Sequence, residues 1–319
     1  MITINFHGVR GSHPVADVQM MAYGGNTSCV EVVKTNKQGL KVPVIIDAGS
    51  GLIKFGYAMA AKLLAHEYSK TFTLLFTHLH PDHTEGFNFF TPSFYPFCTM
   101  YLLGMETLNY NVGVVLERRM LPPTFPIEYK DLKSVKRPGI LTDGQWFFIT
   151  QEGVPVAKNP DPLLEIRVMR AYSPSHPQQG ALYYKIRDVE DGSTIVCIWD
   201  IESHIGGDVR VIAFAHDADL MIHDTQYTEA EYANVARPVQ GFGHSTYSMA
   251  IENARKAGVK YLIPFHYNPR HTDTILDGIK AKYQGVKDLS VLMSYEGLSI
   301  TLQNGVIIQQ ETLIEGFSE

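Results

Sequence analysis

One run of six residues constrains this chain more than any other: His78-Leu79-His80-Pro81-Asp82-His83. It follows directly on residues 71–76, an apolar stretch that reads as a buried strand. Two histidines at i and i+2 just past a strand converge on one ion if the loop turns back on itself. Asp82 and His83 then point to a second ion nearby. Imidazoles with a carboxylate suit zinc, and also manganese or iron. The chain holds 13 histidines against two tryptophans, more than packing asks for, and their grouping carries the rest of the argument.

Composition narrows the setting. The 319 residues are 45% hydrophobic and 19% charged, enough for one large core or two smaller ones and too apolar for a disordered chain. A net charge of −6 supplies no basic field for generic nucleic-acid binding. No apolar run approaches a membrane span, and the first ten residues lack the apolar core of a secretory signal. The three cysteines, Cys29, Cys98 and Cys197, form no C-x-x-C pair, which fits buried thiols in a reducing cytoplasm and excludes a cysteine-based zinc site.

Strands are expected at residues 2–6, 29–33, 42–46, 71–76, 164–171, 182–186, 194–199, 220–222, 261–264, 291–293 and 298–302. Helices are expected at 52–66, 245–257 and 272–283. Residues 87–160, rich in Phe, Tyr and Pro, read as an insertion with a short helix near 105–120. Strands precede helices in both halves, which suggests two stacked sheets with helices outside.

The six-residue motif resembles the H-x-H-x-D-H signature of the metallo-β-lactamase superfamily. That superfamily also places a third histidine, a bridging aspartate and a final histidine at strand ends. Tyr172-Ser173-Pro174-Ser175-His176-Pro177, Ile198-Trp199-Asp200 and Leu262-Ile263-Pro264-Phe265-His266 match these in order. The resemblance assigns His78, His80 and His176 to one metal and Asp82, His83 and His266 to the other, with Asp200 bridging. It implies an α/β fold, the four-layer αβ/βα sandwich, over residues 1–319 as a single domain with the insertion at about 87–160.

A narrower resemblance rests on Gly8-Val9-Arg10-Gly11-Ser12, on residues 23–31 beginning Tyr23-Gly24-Gly25-Asn26, and on Gly243-His244-Ser245-Thr246. These are similar to the branch that includes tRNase Z and the cyclic phosphodiesterases. It implies a dinuclear hydrolase in which a hydroxide bridging two divalent ions attacks phosphorus. Asp82 would orient the hydroxide or take its proton, His244 would act as acid toward the leaving group, and Asp224 would orient His244. Ligand identity separates the chain from flavodiiron oxidoreductases, which carry glutamate where His80 stands. Only residues 177–199 separate His176 from Asp200, too few for the tRNA-gripping arm that tRNase Z normally carries there.

The expected partner is therefore a small phosphodiester, cyclic-nucleotide-like substrates first among them, with no membrane or nucleic acid involved and a homo-oligomer left open. The competing readings are an esterase, thioesterase or lactonase of the same fold, a tRNase Z-like ribonuclease, and a metal-binding signalling module without turnover. Several residues keep two readings. Asp47 either supports a ligand histidine or closes an Asx turn, and Asn26 and Ser28 favour a turn. Arg10 meets a substrate phosphate or pairs with a carboxylate. His223 reads as a core histidine, and the aromatic run 87–101 as packing before a lid. His7, His13, His204, His216 and His271 carry no assignment, with His13 and His204 the two to check against the site.

Overall fold

The computed structural model describes residues 1–172 and 180–313. The first six strands are β1 (Ile2–Gly8), β2 (Cys29–Thr35), β3 (Lys41–Ile46), β4 (Thr71–Leu75), β5 (Thr99–Gly104) and β6 (Val135–Ile140). The chain then enters a second sheet with β7 (Trp146–Ile149), β8 (Pro155–Val156), β9 (Leu164–Ala171), β10 (Ala181–Asp188), β11 (Thr194–Ile198), β12 (Leu220–Asp224), β13 (Tyr261–Phe265) and β14 (Ser290–Val291). It returns to the first with β15 (Leu298–Gln303) and β16 (Val306–Thr312). The sheet orders are β16-β15-β1-β2-β3-β4-β5-β6 and β14-β13-β12-β11-β10-β9-β7-β8.

Each sheet is mixed. Strands β3 to β6 run parallel to one another, as do β11 to β14, and the remaining pairs are antiparallel. The interior parallel strands, such as β11 and β12, are buried on both faces, so β11 reads as the apolar run Ile195-Val196-Cys197-Ile198 after Thr194. In β1, by contrast, Ile2, Ile4 and Phe6 face the core between the sheets while Asn5 and His7 alternate away from it.

Helices cover the outer faces. Helix α1 (Gly51–Leu64) buries Leu52, Phe55, Met59 and Leu63, one stripe at helical spacing, against Ile45, Phe72 and Leu74 of the first sheet. Each such side chain contributes about 1.5–3 kcal/mol of burial. Helix α2 (Val112–Arg119) adds Val112 and Leu116 to the same layer. On the second sheet lie α3 (Val209–Ala215), α4 (Glu229–Tyr232), α5 (Tyr247–Ala257) and α6 (Asp273–Tyr283), with α5 against β12 and β13. The result is helices, sheet, sheet, helices: the four-layer αβ/βα arrangement.

Residues 87–160 extend both layers, giving β5 and β6 to the first sheet and β7 and β8 to the second. Pro138 sits in β6, the edge strand, where a missing N–H costs no ladder bond. Within the aromatic run, Phe87 and Phe90 are fully buried, and Phe90 meets Phe72 edge-on at 6.1 Å. For these two rings packing is the correct account. Among the described residues no helix is long and apolar enough to cross a membrane.

Candidate metal centre

Ligand-type residues collect where the parallel strands of both sheets end. Asp47 follows β3, the loop from Thr77 to His83 follows β4, Asp200 follows β11, Asp224 closes β12 and His266 follows β13. The C-terminal ends of parallel strands leave a crevice that the helices do not fill, and ligands bind there. Three of these residues adopt a left-handed backbone: Asp47 (φ 60°), Asp200 (φ 57°) and His266 (φ 61°). That conformation costs a non-glycine residue about 1–3 kcal/mol and persists where surrounding contacts impose it.

The side chains converge. His83 Nε2 stands 3.2 Å from Asp82 Oδ2 and 3.2 Å from Asp200 Oδ2. His266 Nε2 stands 3.4 Å and 3.3 Å from the same two oxygens. His78 Nε2 lies 3.6 Å from Asp200 Oδ1, and the His78 ring is 4.4 Å from that of half-buried His80. Three overlapping groups have ligand atoms close enough for one ion: His78, His83 and Asp200; Asp82, His83 and His266; Asp200, His244 and His266. His176, expected as the third histidine, lies outside the described residues.

The donor set fits divalent metal. Among the described residues His83 Nε2, His266 Nε2 and Asp200 Oδ2 are buried and have no hydrogen-bond partner, although they face one another. Buried polar atoms are rarely left this way unless an ion or water completes them. Burial alone would raise the Asp82 and Asp200 carboxyls, yet the adjacent imidazoles hold both well below the usual carboxylate range. Burial would lower His83, but Asp82, Asp200 and Asp47 push it well above the usual imidazole value. Two buried carboxylates in one cluster thus call for positive charge, which a cation supplies.

A supporting layer fixes the cluster. Asp47 receives His83 Nδ1 (2.7 Å), Trp199 Nε1 (2.7 Å), Thr77 N (2.8 Å) and Thr77 Oγ1 (2.8 Å). It therefore backs His83, one of the candidate ligands, rather than closing an Asx turn alone. Asp224 Oδ2 accepts from Asp200 N (2.9 Å) and faces His244 Nδ1 at 2.8 Å, while Asp224 Oδ1 accepts from Gln226 N and Ser245 N, both at 3.1 Å. Burial would lower the His244 imidazole, but Asp224 raises it above its ordinary value. The His244 ring stacks 5.0 Å from His266, and Ser12 donates its amide to Asp82 Oδ2 at 2.7 Å.

Other histidines fall elsewhere. His223 is a satisfied core residue, bonded to Asp224 O and in contact with Asn253 Nδ2. His7 stacks on Phe55 beside Glu31, His216 is exposed beside Asp217, and His271 pairs with Glu231 at 3.0 Å. His204 is exposed, and His13 lines a cavity next to the centre. Arg10 takes neither expected role. It is fully buried and donates to the carbonyls of Gly24 (2.7 Å), Asn268 (3.1 Å) and His271 (2.6 Å), tying three loops together. Asn26 closes its turn through Glu296 and Ser50. Trp199 and Ser12 lie within recognised motifs, but nothing local signals their roles, because their partners lie far away along the chain.

Known proteins resemble this chain. Ribonuclease Z of Thermoplasma acidophilum is 39% identical over 89 residues, 27% of this chain and 28% of that protein, so the match spans under a third of the relative. Ribonuclease Z of Sulfurisphaera tokodaii is 24% identical over 303 residues, 88% of this chain and 93% of that one. Among solved structures, yeast PDE1 superposes with a TM-score of 0.62 at 14% identity, covering 94% of this chain and 99% of that chain. The short form of human tRNase Z gives 0.57 at 18% identity, covering 94% and 98%. These low identities bear on the fold. A family model described as the beta-lactamase superfamily domain matches residues 43–267, from β3 through His266, and the chain belongs to that family.

Proposed function

We propose that the protein is a metal-dependent phosphodiesterase acting on a small phosphodiester, with cyclic-nucleotide-like substrates the first class to assay. The observation that carries this reading is the His244–Asp224 pair set against the ligand cluster. The Asp224 carboxylate oxygen accepts, so His244 donates from Nδ1 and presents Nε2 as its one remaining nitrogen. An imidazole so held can deliver a proton to a leaving alkoxide, a role that acyl transfer to a good leaving group needs less.

Two divalent ions, zinc first and manganese or iron as alternatives, would be held by His78, His80 and His176 and by Asp82, His83 and His266, with Asp200 shared. When bound they supply neutralisation of the phosphoryl oxygens and a lowered pKa for water. The chain's own residues do the rest. Asp82, fixed by Ser12 N, orients the attacking water or takes its proton. His244 Nε2 protonates the departing oxygen as the P–O bond breaks, and Asp224 holds the ring in place.

A second reading, a ribonuclease, is supported by the ribonuclease Z match over 303 residues. Metal content measured beside turnover of bis-(p-nitrophenyl) phosphate, its monoester and an acyl ester tests the first proposal. Diester-selective turnover with about two metals per chain is the expected result. Acyl-ester turnover alone would move the assignment to an esterase or thioesterase, and metal without turnover to a binding module. A panel of cyclic nucleotides against linear RNA then separates the two phosphodiesterase readings.

A further inference from the structure

Beside the metal centre lies a cavity of about 400 Å³, within the size range of small-molecule sites, that the reaction above leaves unused. Its wall adjoins the centre through shared residues. Ser12 and Gln226 line it, and their amides are the ones bonded to Asp82 and Asp224. Asn268 lines it two residues after His266, and Phe242 two residues before His244.

Its charge is unusual for a chain of net charge −6. Arg237 and Arg270 both stand in the wall, exposed, and among the described residues neither guanidinium has a hydrogen bond or ion pair. The one carboxylate in the wall, Glu231, is engaged by His271 at 3.0 Å and by Thr228. Among the described residues neither arginine is paired with a carboxylate. Guanidinium forks match phosphate oxygens in shape and charge. Phe242, 57% exposed, offers a ring face on which a base stacks.

We infer that this cavity binds a second phosphate of a nucleotide substrate, next to the phosphodiester at the metal centre, with the base against Phe242. Arg237 and Arg270 are then specificity-determining residues. The inference rests on the phosphodiesterase reading for the place of the first phosphate, and it names the substrate class more narrowly. A cyclic mononucleotide has a single phosphate and leaves both guanidinium groups unused. A nucleotide unit with phosphates on both its 3′ and 5′ oxygens uses them.

The test is calorimetric binding of adenosine 5′-monophosphate and adenosine 3′,5′-bisphosphate to the metal-loaded protein, to R237Q, to R270Q and to the double variant. The bisphosphate should bind roughly tenfold or more tightly to the natural sequence, as charge-assisted hydrogen bonds require. That preference should shrink in each single variant and vanish in the double one, while metal content stays the same. Equal affinity for the two nucleotides, or a preference that survives in the double variant, overturns the inference. Turnover of bis-(p-nitrophenyl) phosphate, which has no second phosphate, keeps the two readings apart. Turnover without the preference sinks the cavity alone; an arginine-dependent preference without turnover sinks the phosphodiesterase reading alone.

Discussion

His83 Nδ1 lies 2.7 Å from Asp47 Oδ2, with both side chains fully inaccessible to solvent. A carboxylate oxygen accepts here, so the imidazole donates from Nδ1 and turns its Nε2 toward Asp82 and Asp200. Asp47 is itself held by Thr77 and by the Trp199 indole from the other sheet. One buried aspartate thus fixes the ring orientation of His83 and locks the first sheet to the second at the candidate metal centre.

Replacing Asp47 with Asn should weaken metal binding about 10–100-fold, the usual effect of losing a carboxylate behind a ligand histidine. Competition with a chromophoric chelator measures it. Unchanged affinity would mean that His83 needs no such support.

His80→Ala and Asp200→Ala should lose metal and activity together. His244→Ala should keep its metal and lose roughly 10²–10⁴-fold in turnover, the range expected for a general acid. Because His244 also lies within ligand reach of Asp200 and His266, metal analysis of this variant is the decisive readout. Equal metal loss in all three variants would make His244 a ligand.

Removing metal should lower thermal stability, since Asp82 and Asp200 then sit buried without a cation. Adding zinc to a hundredfold excess over its dissociation constant should restore about 2.7 kcal/mol. Asp200→Ala should show no such response. A melting temperature indifferent to chelator in the natural sequence would argue against metal at these residues.

Glu229 predicts a pH dependence away from the metal. Burial would raise its carboxyl, but Lys282 Nζ (2.9 Å), Ser248 Oγ (2.8 Å) and Tyr283 OH (2.8 Å) bring it down to about 2. A carboxyl lowered on folding stabilises above its unfolded value, and that contribution fades as pH falls from about 4.5 toward about 2. The group is partly exposed, so solvent screening keeps the effect within about 1 kcal/mol. Denaturant titrations from pH 7 to pH 3 should show Glu229→Gln less stable at neutral pH and converging with the natural sequence in acid. A constant gap would assign the effect to packing instead.

The six residues from His78 to His83 were legible because their chemistry is local. Four donors packed just past a buried strand cannot be placed far apart, whatever the rest of the chain does. Asp200 and His266 were legible through a resemblance whose motifs follow one another in order. The strands and helices expected from periodicity formed, since burial on one face or two imposes it, while β5 to β8, β16 and α3 went unread. Tertiary structure decided what depends on strand order and loop closure. Asp47 found His83 across 36 positions and Trp199 across 152, and Arg10 reached Asn268 across 258. Neither the support of a ligand nor the tying of three loops leaves a periodic or compositional trace. The cavity bearing Arg237 and Arg270 is of the same kind: its wall is drawn from residues 12–13, 226–242 and 268–270. Only the stacking of two sheets brings those segments to one edge, because a local motif is set by bond geometry and a cavity by packing.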